Sequence, residues 1–285
     1  MKKTENKILV MILTHGRAEN ISTVKALRKC GYEGEIIYLI DNEDSQKDLY
    51  LKKYGDQVEI FDKKAYADLI DEMDNFNNRK TITHARNATY DIAEKRGYRY
   101  FIQLDDDYTG FSFKFNHLYE YKDRSIKNIN KTFQIMIDFL NSSGAVVLCM
   151  AQNGDYLGGG NGSFGNKIKL RRKAMNSFLC DTKKRLWWVG RQNEDVNTYV
   201  GKGNRGSLFF TIHSVSLNHK ATQSVKGGMS EMYRAQGTYV KSFYTVMTAP
   251  SCVKIAMMGE THRRLHHKIN WKTAVPLILD PKHKK

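Results

Sequence analysis

The sequence predicts an α/β domain built on a mostly parallel central sheet flanked by helices. Over the first hundred residues, short apolar runs alternate with stretches of helical periodicity, and several of the apolar runs end in a polar turn. Strands separated by helices of this length are typical of βαβ units, whose strands lie parallel. In such sheets, ligand sites lie at the carboxyl ends of the strands.

Four strands and three helices are predicted in this part of the chain. The predicted strands are the apolar runs Ile8–Leu13, Glu35–Ile40, Val58–Phe61 and Tyr100–Leu104. The predicted helices, which end near Gly31, Gly55 and Gly97, are Asn20–Lys29, Gln46–Tyr54 and Thr83–Arg96. Polar turns follow three of the strands, at Thr14–Arg17, Asp41-Asn42 and Asp105–Asp107. We expect these turns to meet at one edge of the sheet.

Beyond Asp107 the pattern is looser. The predicted elements are a helix at Ile126–Leu140, a strand at Ala145–Met150, a glycine-rich loop at Gly154–Gly165, a strand at Leu208–Ile212, and helices around Ser230–Gly237 and Tyr239–Met247. Because neither a repeat nor a linker interrupts the chain, we expect one domain with two halves, residues 1–110 and 111–280, and a basic tail, 281–285.

The charge is distributed unevenly between these halves. The formal net charge is +16, yet residues 1–110 contain 18 Lys and Arg against 20 Asp and Glu, and the remainder contains 28 against 10. An excess of this size in one part of a chain favours the capture of polyanions. Nucleic acid is therefore the expected partner of the second half, and an anionic membrane surface is the alternative.

Three features predict the cellular setting. The longest apolar runs, Ile8–Leu13 and Ala145–Ala151, are far shorter than the ~20 residues of a bilayer-spanning helix. The charged start of the chain has no cleavage-site pattern of a signal peptide. The four cysteines are far apart and lack CxxC spacing, which is typical of a reducing compartment. We expect a soluble cytoplasmic protein, and we favour a monomer.

The Asp105–Asp107 turn is the first candidate for chemistry. Carboxylates two residues apart, Asp105 and Asp107, can hold Mg²⁺ or Mn²⁺ between them, and such a cation bridges the oxygens of a bound diphosphate. A solvated acidic turn is the alternative interpretation.

A larger pattern surrounds this turn. Thr83-His84-Ala85-Arg86-Asn87 opens a helix, and Gly97 then precedes an aromatic-apolar strand that ends in the acidic turn. This series resembles the nucleotide-sugar half of GT-A glycosyltransferases, whose fold is Rossmann-like. The resemblance implies a UDP-sugar donor, UDP-glucose or a related sugar, in the first half of the chain. The donor contacts expected from this half are Thr14, Arg17, Asp41, Arg86 and Asp106, with Arg86 on the diphosphate.

A second acidic motif lies at Trp187–Asn197. It looks like the Glu-Asp pair that opens a helix beneath the acceptor in the same fold. The resemblance implies that Asp195 is the general base, which takes the proton of the acceptor hydroxyl, and that Glu194 is the alternate. Acidic residues that only stabilise the start of a helix are the other interpretation.

The last part of the chain narrows the family. The segments that do so are His219–Ser230, Gly237–Tyr244, Ala249–Lys254 and His266–Trp271. Together they resemble bacteriophage glycosyltransferases of the TET/JBP-associated group, which are related to the base J glucosyltransferase and add sugars to hydroxymethylated pyrimidines in DNA. The resemblance implies an acceptor of 5-hydroxymethylcytosine or 5-hydroxymethyluracil in DNA, bound by the second half in the cytoplasm of the host cell. It leaves the sugar, the base and the choice between inversion and retention open.

Histidines and a basic run complete the expected site. His266 or His267 is expected to join the metal, and two basic-surface histidines are the alternative. The expected phosphate contacts are Lys169, Arg171, Arg172, Lys173 and Lys226. Two other functions stay open: a GT-A enzyme acting on a glycan, lipid or protein, and a metal-dependent, nuclease-like DNA-binding protein.

Overall fold

A computed structural model describes residues 7–162, 171–219, 240–259 and 263–275. Within these ranges, nine strands form one sheet, and two further strands form a hairpin. The strands of the sheet are β1 (Ile8–Leu13), β2 (Ile36–Asp41), β3 (Val58–Phe61), β4 (Tyr100–Asp105), β5 (Tyr108–Phe115), β6 (Tyr121–Ser125), β7 (Val147–Gln152), β8 (Phe178–Asp181) and β9 (Phe209–His219). The strands of the hairpin are β10 (Val253–Met258) and β11 (Arg264–Ile269).

Helices connect these strands. The first six are α1 (Thr23–Lys29), α2 (Lys47–Tyr54), α3 (Lys63–Ala67), α4 (Thr83–Lys95), α5 (Ile129–Ser143) and α6 (Glu194–Gly203). Two more, Val240–Thr248 and Trp271–Ala274, flank the hairpin. Of the helices in the described ranges, none has the length and apolar character that crossing a bilayer requires.

The strand order is β3-β2-β1-β4-β8-β7-β9-β5-β6. β1 to β4 are parallel, as the sequence predicts, and β1 lies between β2 and β4. The chain therefore reverses its direction of winding between β1 and β4, and their carboxyl ends mark the switch point where open α/β sheets bind ligands. β8 pairs antiparallel with β4, so strands from both halves of the chain share one sheet.

The α/β prediction is confirmed, and the predicted elements in the described ranges have close counterparts. The prediction of a mostly parallel sheet holds best for the first half. Antiparallel pairs of β8, β5 and β6 make the second half mixed. β6, whose residues are all exposed, has no apolar face that could have revealed it in the sequence. The predicted helix Ser230–Gly237, the end of the glycine-rich loop and the tail 281–285 lie outside the described residues.

The core lies on both faces of the sheet, because alternate residues of each central strand point to opposite sides. Leu9, Met11 and Leu13 of β1 pack with α4 and α6 on one face. Ile8 and Val10 pack with α1 and α5 on the other. Fully burying an aliphatic side chain of this kind stabilises the fold by about 1.5–3 kcal/mol. As a result, α4 and α6, which carry predicted functional residues, pack on the same face of the sheet.

Candidate active site

Asp106 connects the end of β4 to the turn after β1. Its carboxylate accepts hydrogen bonds from Thr14 Oγ1 at 2.7 Å and from Arg17 Nη1 at 2.9 Å. The Thr14 oxygen also lies 2.8 Å from the Tyr50 hydroxyl, and Asp106 is buried. Three of the predicted donor contacts are therefore bonded to one another, an arrangement that holds the two turns together. Contact of Thr14, Arg17 or Asp106 with the donor stays a prediction. Asp106 is the least suited of the three, because it is buried and already bonded to the other two.

Asp41, at the end of β2, lies against His15 and Lys63. Its Oδ2 lies 2.8 Å from His15 Nδ1 and 3.3 Å from Lys63 Nζ. Burial raises the pKa of Asp41, but the hydrogen bond with His15 and the charge of Lys63 outweigh burial and lower it overall. The same hydrogen bond raises the pKa of His15, which is half-buried. His15 was not predicted as a site residue; its position in the turn after β1 was the available signal.

Arg86, in the first turn of α4, lies between the two acidic motifs. Its Nε donates to Glu194 Oε1 at 2.9 Å, and its Nη1 donates to Gln103 Oε1 at 3.2 Å. Its Nη2 lies 3.7 Å from Asp105 Oδ1, and its guanidinium lies 4.6 Å from the centre of the Phe178 ring. Arg86 is buried and enclosed by these groups. Its placement favours a link between the motifs over the predicted contact with a diphosphate.

Of the three carboxylates in the first motif, those of Asp105 and Asp107 have the fewest hydrogen-bond partners within the described ranges. Asp105 Oδ2 accepts a hydrogen bond from Tyr108 at 3.2 Å, whereas Oδ1 is buried without a hydrogen-bond partner. Burial raises the pKa of Asp105, Arg86 lowers it, and the other two carboxylates raise it again, to about 7. Asp107 is half-buried and makes no ion pair within the described ranges.

These groups suit a divalent cation. The unsatisfied oxygens are hard donors, and a cation would relieve the repulsion between the carboxylates. Within the described part of the chain, no three His, Cys, Asp or Glu side chains converge into a complete metal site. Asp105 and Asp107 would therefore hold the cation together with oxygens of the bound diphosphate and water, which is the usual manner of Mg²⁺.

Glu194 and Asp195 open α6 and are both buried, but they have different partners. Glu194 is paired with Arg86, whereas Asp195 accepts one hydrogen bond, from the Val196 N–H at 2.7 Å. Burial and the neighbouring charge of Glu194 raise the pKa of Asp195 to about 7. A carboxylate that titrates near neutrality is suited to take a proton from an acceptor. The prediction that the pair opens a helix is confirmed.

Asn193 fixes the position of this pair. It has a left-handed backbone, with φ of 54°, directly before α6. Its side-chain amide donates to the Lys241 carbonyl at 2.9 Å and to Thr245 Oγ1 at 3.1 Å, and lies 3.3 Å from His267 Nδ1. One amide thus joins the helix Val240–Thr248 and β11 to the start of α6. Neither Asn193 nor Lys241 was predicted, because their importance arises from contacts across 48 to 74 residues of sequence.

Lys241 brings a positive charge to the Glu194-Asp195 pair. Burial lowers the pKa of Lys241, while the charges of Asp195 and Glu194 act to raise it. It is therefore a cationic group near the second motif, on the side of the hairpin.

His266 and His267 lie side by side, with ring centres 4.2 Å apart. His266 Nδ1 lies 2.8 Å from the His267 carbonyl, which can only accept, so this nitrogen carries the proton and Nε2 of His266 keeps a lone pair. His267 Nδ1 lies 3.3 Å from the amide nitrogen of Asn193, whose two hydrogens are directed at Lys241 and Thr245. Burial lowers the pKa of both rings, that of His267 to about 4.

The tautomer of His266 leaves its Nε2 with a lone pair, which suits a metal ligand. Neither ring contacts Asp105 or Asp107 in the described structure, so metal ligation by either histidine stays a prediction.

Part of the predicted basic run is paired within the protein. Arg172 and Lys173 form ion pairs with Asp155 at 2.6 and 2.9 Å, and Asp155 is buried. Arg171 Nε donates to the Val275 carbonyl at 3.4 Å. Phosphate contacts by these residues stay a prediction, and Arg172 and Lys173 would have to exchange Asp155 for phosphate. Lys169 and Lys226 lie outside the described residues.

Comparison with known proteins identifies the family. The chain belongs to the TET-associated glycosyltransferase family, whose model matches residues 8–228. The resemblance drawn from the motifs is thereby confirmed at the level of the family, and the chain is a glycosyltransferase. No match was found among curated proteins.

One solved structure shows a distant similarity. It is the crystal structure of glucosyl-3-phosphoglycerate synthase from Mycobacterium tuberculosis in complex with Mn²⁺, UDP and phosphoglyceric acid. It is 9% identical, the match covers 92% of this chain and 86% of that chain, and the TM-score is 0.44. A similarity this distant assigns neither a ligand nor a reaction.

Proposed function

We propose that this protein transfers a sugar from a UDP-sugar to the hydroxymethyl group of 5-hydroxymethylcytosine or 5-hydroxymethyluracil in DNA, with Mn²⁺ or Mg²⁺ bound. The family supports the transferase; the donor, the metal and the acceptor are the proposed part. The observation on which the proposal rests is the Arg86 guanidinium, which lies against both Asp105 and Glu194. A transferase needs its two acidic motifs this close, because the leaving group and the acceptor react at one carbon.

The first motif would serve the donor. Asp105 and Asp107 would hold the divalent cation, which when bound neutralises charge that develops on the departing diphosphate. Asp41, at the end of β2, and His15, which follows the neighbouring strand β1, would contact the nucleoside. Arg86 balances the negative charge of the buried Glu194 while the donor is bound.

The second motif would serve the acceptor. The hydroxymethyl oxygen attacks the anomeric carbon and forms the new C–O bond. The bond from that carbon to the diphosphate oxygen breaks, and its electron pair leaves with UDP. Asp195 takes the hydroxyl proton, because it has no ion pair within the described residues and its pKa of about 7 matches the task. Glu194 stays paired with Arg86.

The acceptor base must leave the stacked duplex to reach an edge of a sheet. Flipping a base costs a few kcal/mol, which phosphate contacts must offset. The second part of the chain, with 28 Lys and Arg against 10 Asp and Glu, is suited to make them.

A direct assay tests the proposal. DNA with hydroxymethylated pyrimidines and plain DNA are each incubated with a panel of UDP-sugars, in Mn²⁺ or in EDTA. The DNA is then digested, and the masses of its nucleosides are measured by mass spectrometry. We expect a hexose mass on the hydroxymethylated nucleoside only, and only with metal. Transfer to a neutral glycan at the same rate would refute the DNA acceptor, and equal transfer in EDTA would refute the metal.

A further inference from the structure

The described residues of the C-terminal hairpin and its flanking helices carry charge of one sign. Residues 240–259 and 263–275 contain no Asp or Glu and six basic residues: Lys241, Lys254, Arg263, Arg264, Lys268 and Lys272. All of these except Lys241 are exposed. None of the five exposed side chains forms an ion pair within the described ranges. No described acidic side chain pairs with these five residues, whereas Asp155 pairs with both Arg172 and Lys173 of the basic run.

Three of these lysines line a groove at the base of the hairpin. The groove has a volume of about 510 Å³, and its walls include Lys254, Lys268 and Lys272 together with Asn270 and Trp271. No acidic side chain is among its lining residues in the described structure. Its chemistry is that of an anion site with amide and indole groups beside the charges.

The hairpin register brings two of the lysines together. Lys254 and Lys268 are directly opposite each other in the antiparallel pair of β10 and β11. Like charges at such a position repel and destabilise a sheet. A negatively charged ligand between them would remove this repulsion.

The groove is joined to α6 by an aromatic contact. Trp271 stacks on Tyr199 of α6, with ring centres 5.8 Å apart and planes at 17°. One wall of the groove is therefore held against the helix that the Glu194-Asp195 pair opens.

We propose that this groove binds the phosphodiester backbone of a nucleic-acid strand. The inference rests on the proposed function for its acceptor, but it concerns lysines that the sequence did not single out. We favour a nucleic-acid strand over a lipid surface, because its phosphates can lie between the paired lysines of the groove and because the proposed acceptor is DNA.

Binding of plain duplex DNA over a series of salt concentrations tests the proposal on the full chain. The variant Lys254→Ala/Lys268→Ala/Lys272→Ala is compared with Lys25→Ala/Lys29→Ala/Lys52→Ala, which removes the same charge from exposed positions on α1 and α2. Each lost phosphate contact lowers the slope of log K against log salt by ~0.9. We expect the groove variant to lose ~2–3 of this slope, and the control variant to keep it.

The outcomes separate this inference from the proposed function. The inference would be overturned if the groove variant and the wild type had equal salt slopes. It would also be overturned if the control variant lost as much of the salt slope as the groove variant. Binding to vesicles of phosphatidylserine and phosphatidylcholine without binding to DNA would also overturn it. Plain DNA contains no hydroxymethyl group, so binding that depends on the groove lysines supports the inference whatever the enzyme transfers. Failure to transfer a sugar to a modified base would refute only the proposed function.

Discussion

The Asp105–Asp107 turn and the Glu194-Asp195 pair bury their carboxylates in similar ways. In each motif, one carboxylate forms an ion pair with an arginine: Asp106 pairs with Arg17, and Glu194 pairs with Arg86. Each also keeps one aspartate, Asp105 or Asp195, whose pKa burial and neighbouring carboxylates raise to about 7.

The two motifs differ in the surroundings of that remaining aspartate. Asp105 has a buried oxygen without a hydrogen-bond partner and lies beside further carboxylates, which favours a cation. Asp195 lies at the start of a helix, where the Val196 N–H satisfies one oxygen. Two aspartates with the same raised pKa are thus suited to different partners, a metal ion and a proton.

The largest expected effect comes from Asp195→Asn. Because a general base typically contributes 10²–10⁴-fold, we expect turnover to fall by about 10³-fold while the KM for the UDP-sugar stays near that of the wild type. The matched variant is Glu194→Gln. If Glu194→Gln lost transfer and Asp195→Asn kept it, the roles of the two carboxylates would be exchanged.

Asp107→Asn removes one charge from the proposed cation site and keeps the volume of the side chain. We expect about 100-fold lower activity at a fixed Mn²⁺ concentration, partly recovered at higher Mn²⁺, and an unchanged Tm. A Mn²⁺ titration of activity, with the wild type beside it, measures this effect. Identical Mn²⁺ dependence of the two proteins would contradict a role of Asp107 in binding metal.

Arg86→Met removes the link between the motifs and leaves Glu194 buried without its partner. Breaking a buried ion pair costs about 3–5 kcal/mol. We expect Tm to fall by roughly 6 °C or more, since 1 kcal/mol shifts the Tm of a chain this size by about 2–4 °C. The double variant Arg86→Met/Glu194→Gln should regain part of the loss. If Arg86→Met kept the wild-type Tm and only raised the donor KM, Arg86 would be the diphosphate contact that the sequence predicted.

The pH dependence separates the base from its neighbours. Asp195 must be ionised to take a proton, and its pKa is raised to about 7, so kcat should rise with pH through about 7 and level above it. Glu194, Arg86 and Lys241 face this carboxylate, so Lys241→Met, which removes a positive charge, should move the midpoint of the rise to higher pH. A kcat that is flat between pH 6 and pH 8 would contradict Asp195 as the base.

The smallest expected effect is that of Arg172→Ala. Because the Arg172 charge is already paired with Asp155, we expect the salt slope of DNA binding to change by less than the ~0.9 of one full phosphate contact. A change of the full ~0.9 would show that Arg172 exchanges Asp155 for phosphate and would restore the predicted basic run as a DNA contact.

The sequence predicted what depends on local pattern. β1 to β4 and α4 follow from apolar periodicity and glycine stops, and both acidic motifs lie at an element boundary that the pattern reveals. Arg86 was selected as a donor contact, which stays a prediction, and its pairing with Glu194 was not foreseen. Glu194 is 108 residues away, and the pairing arises because α4 and α6 share one face of the sheet. Charge counting found the basic half but not its uncompensated part, since Asp155 balances Arg172 only in three dimensions.

The amide of Asn193 has a consequence for the order in which the enzyme is made. The Asp105–Asp107 turn and its partners Thr14, Arg17 and Arg86 are complete in the first 110 residues, whereas Asn193 is held by Lys241, Thr245 and His267. A nascent chain therefore completes the contacts of Asn193 only after Lys241, Thr245 and finally His267 have left the ribosome. Premature termination before Lys241 would leave the Arg86–Glu194 pair but remove all three groups that hold Asn193.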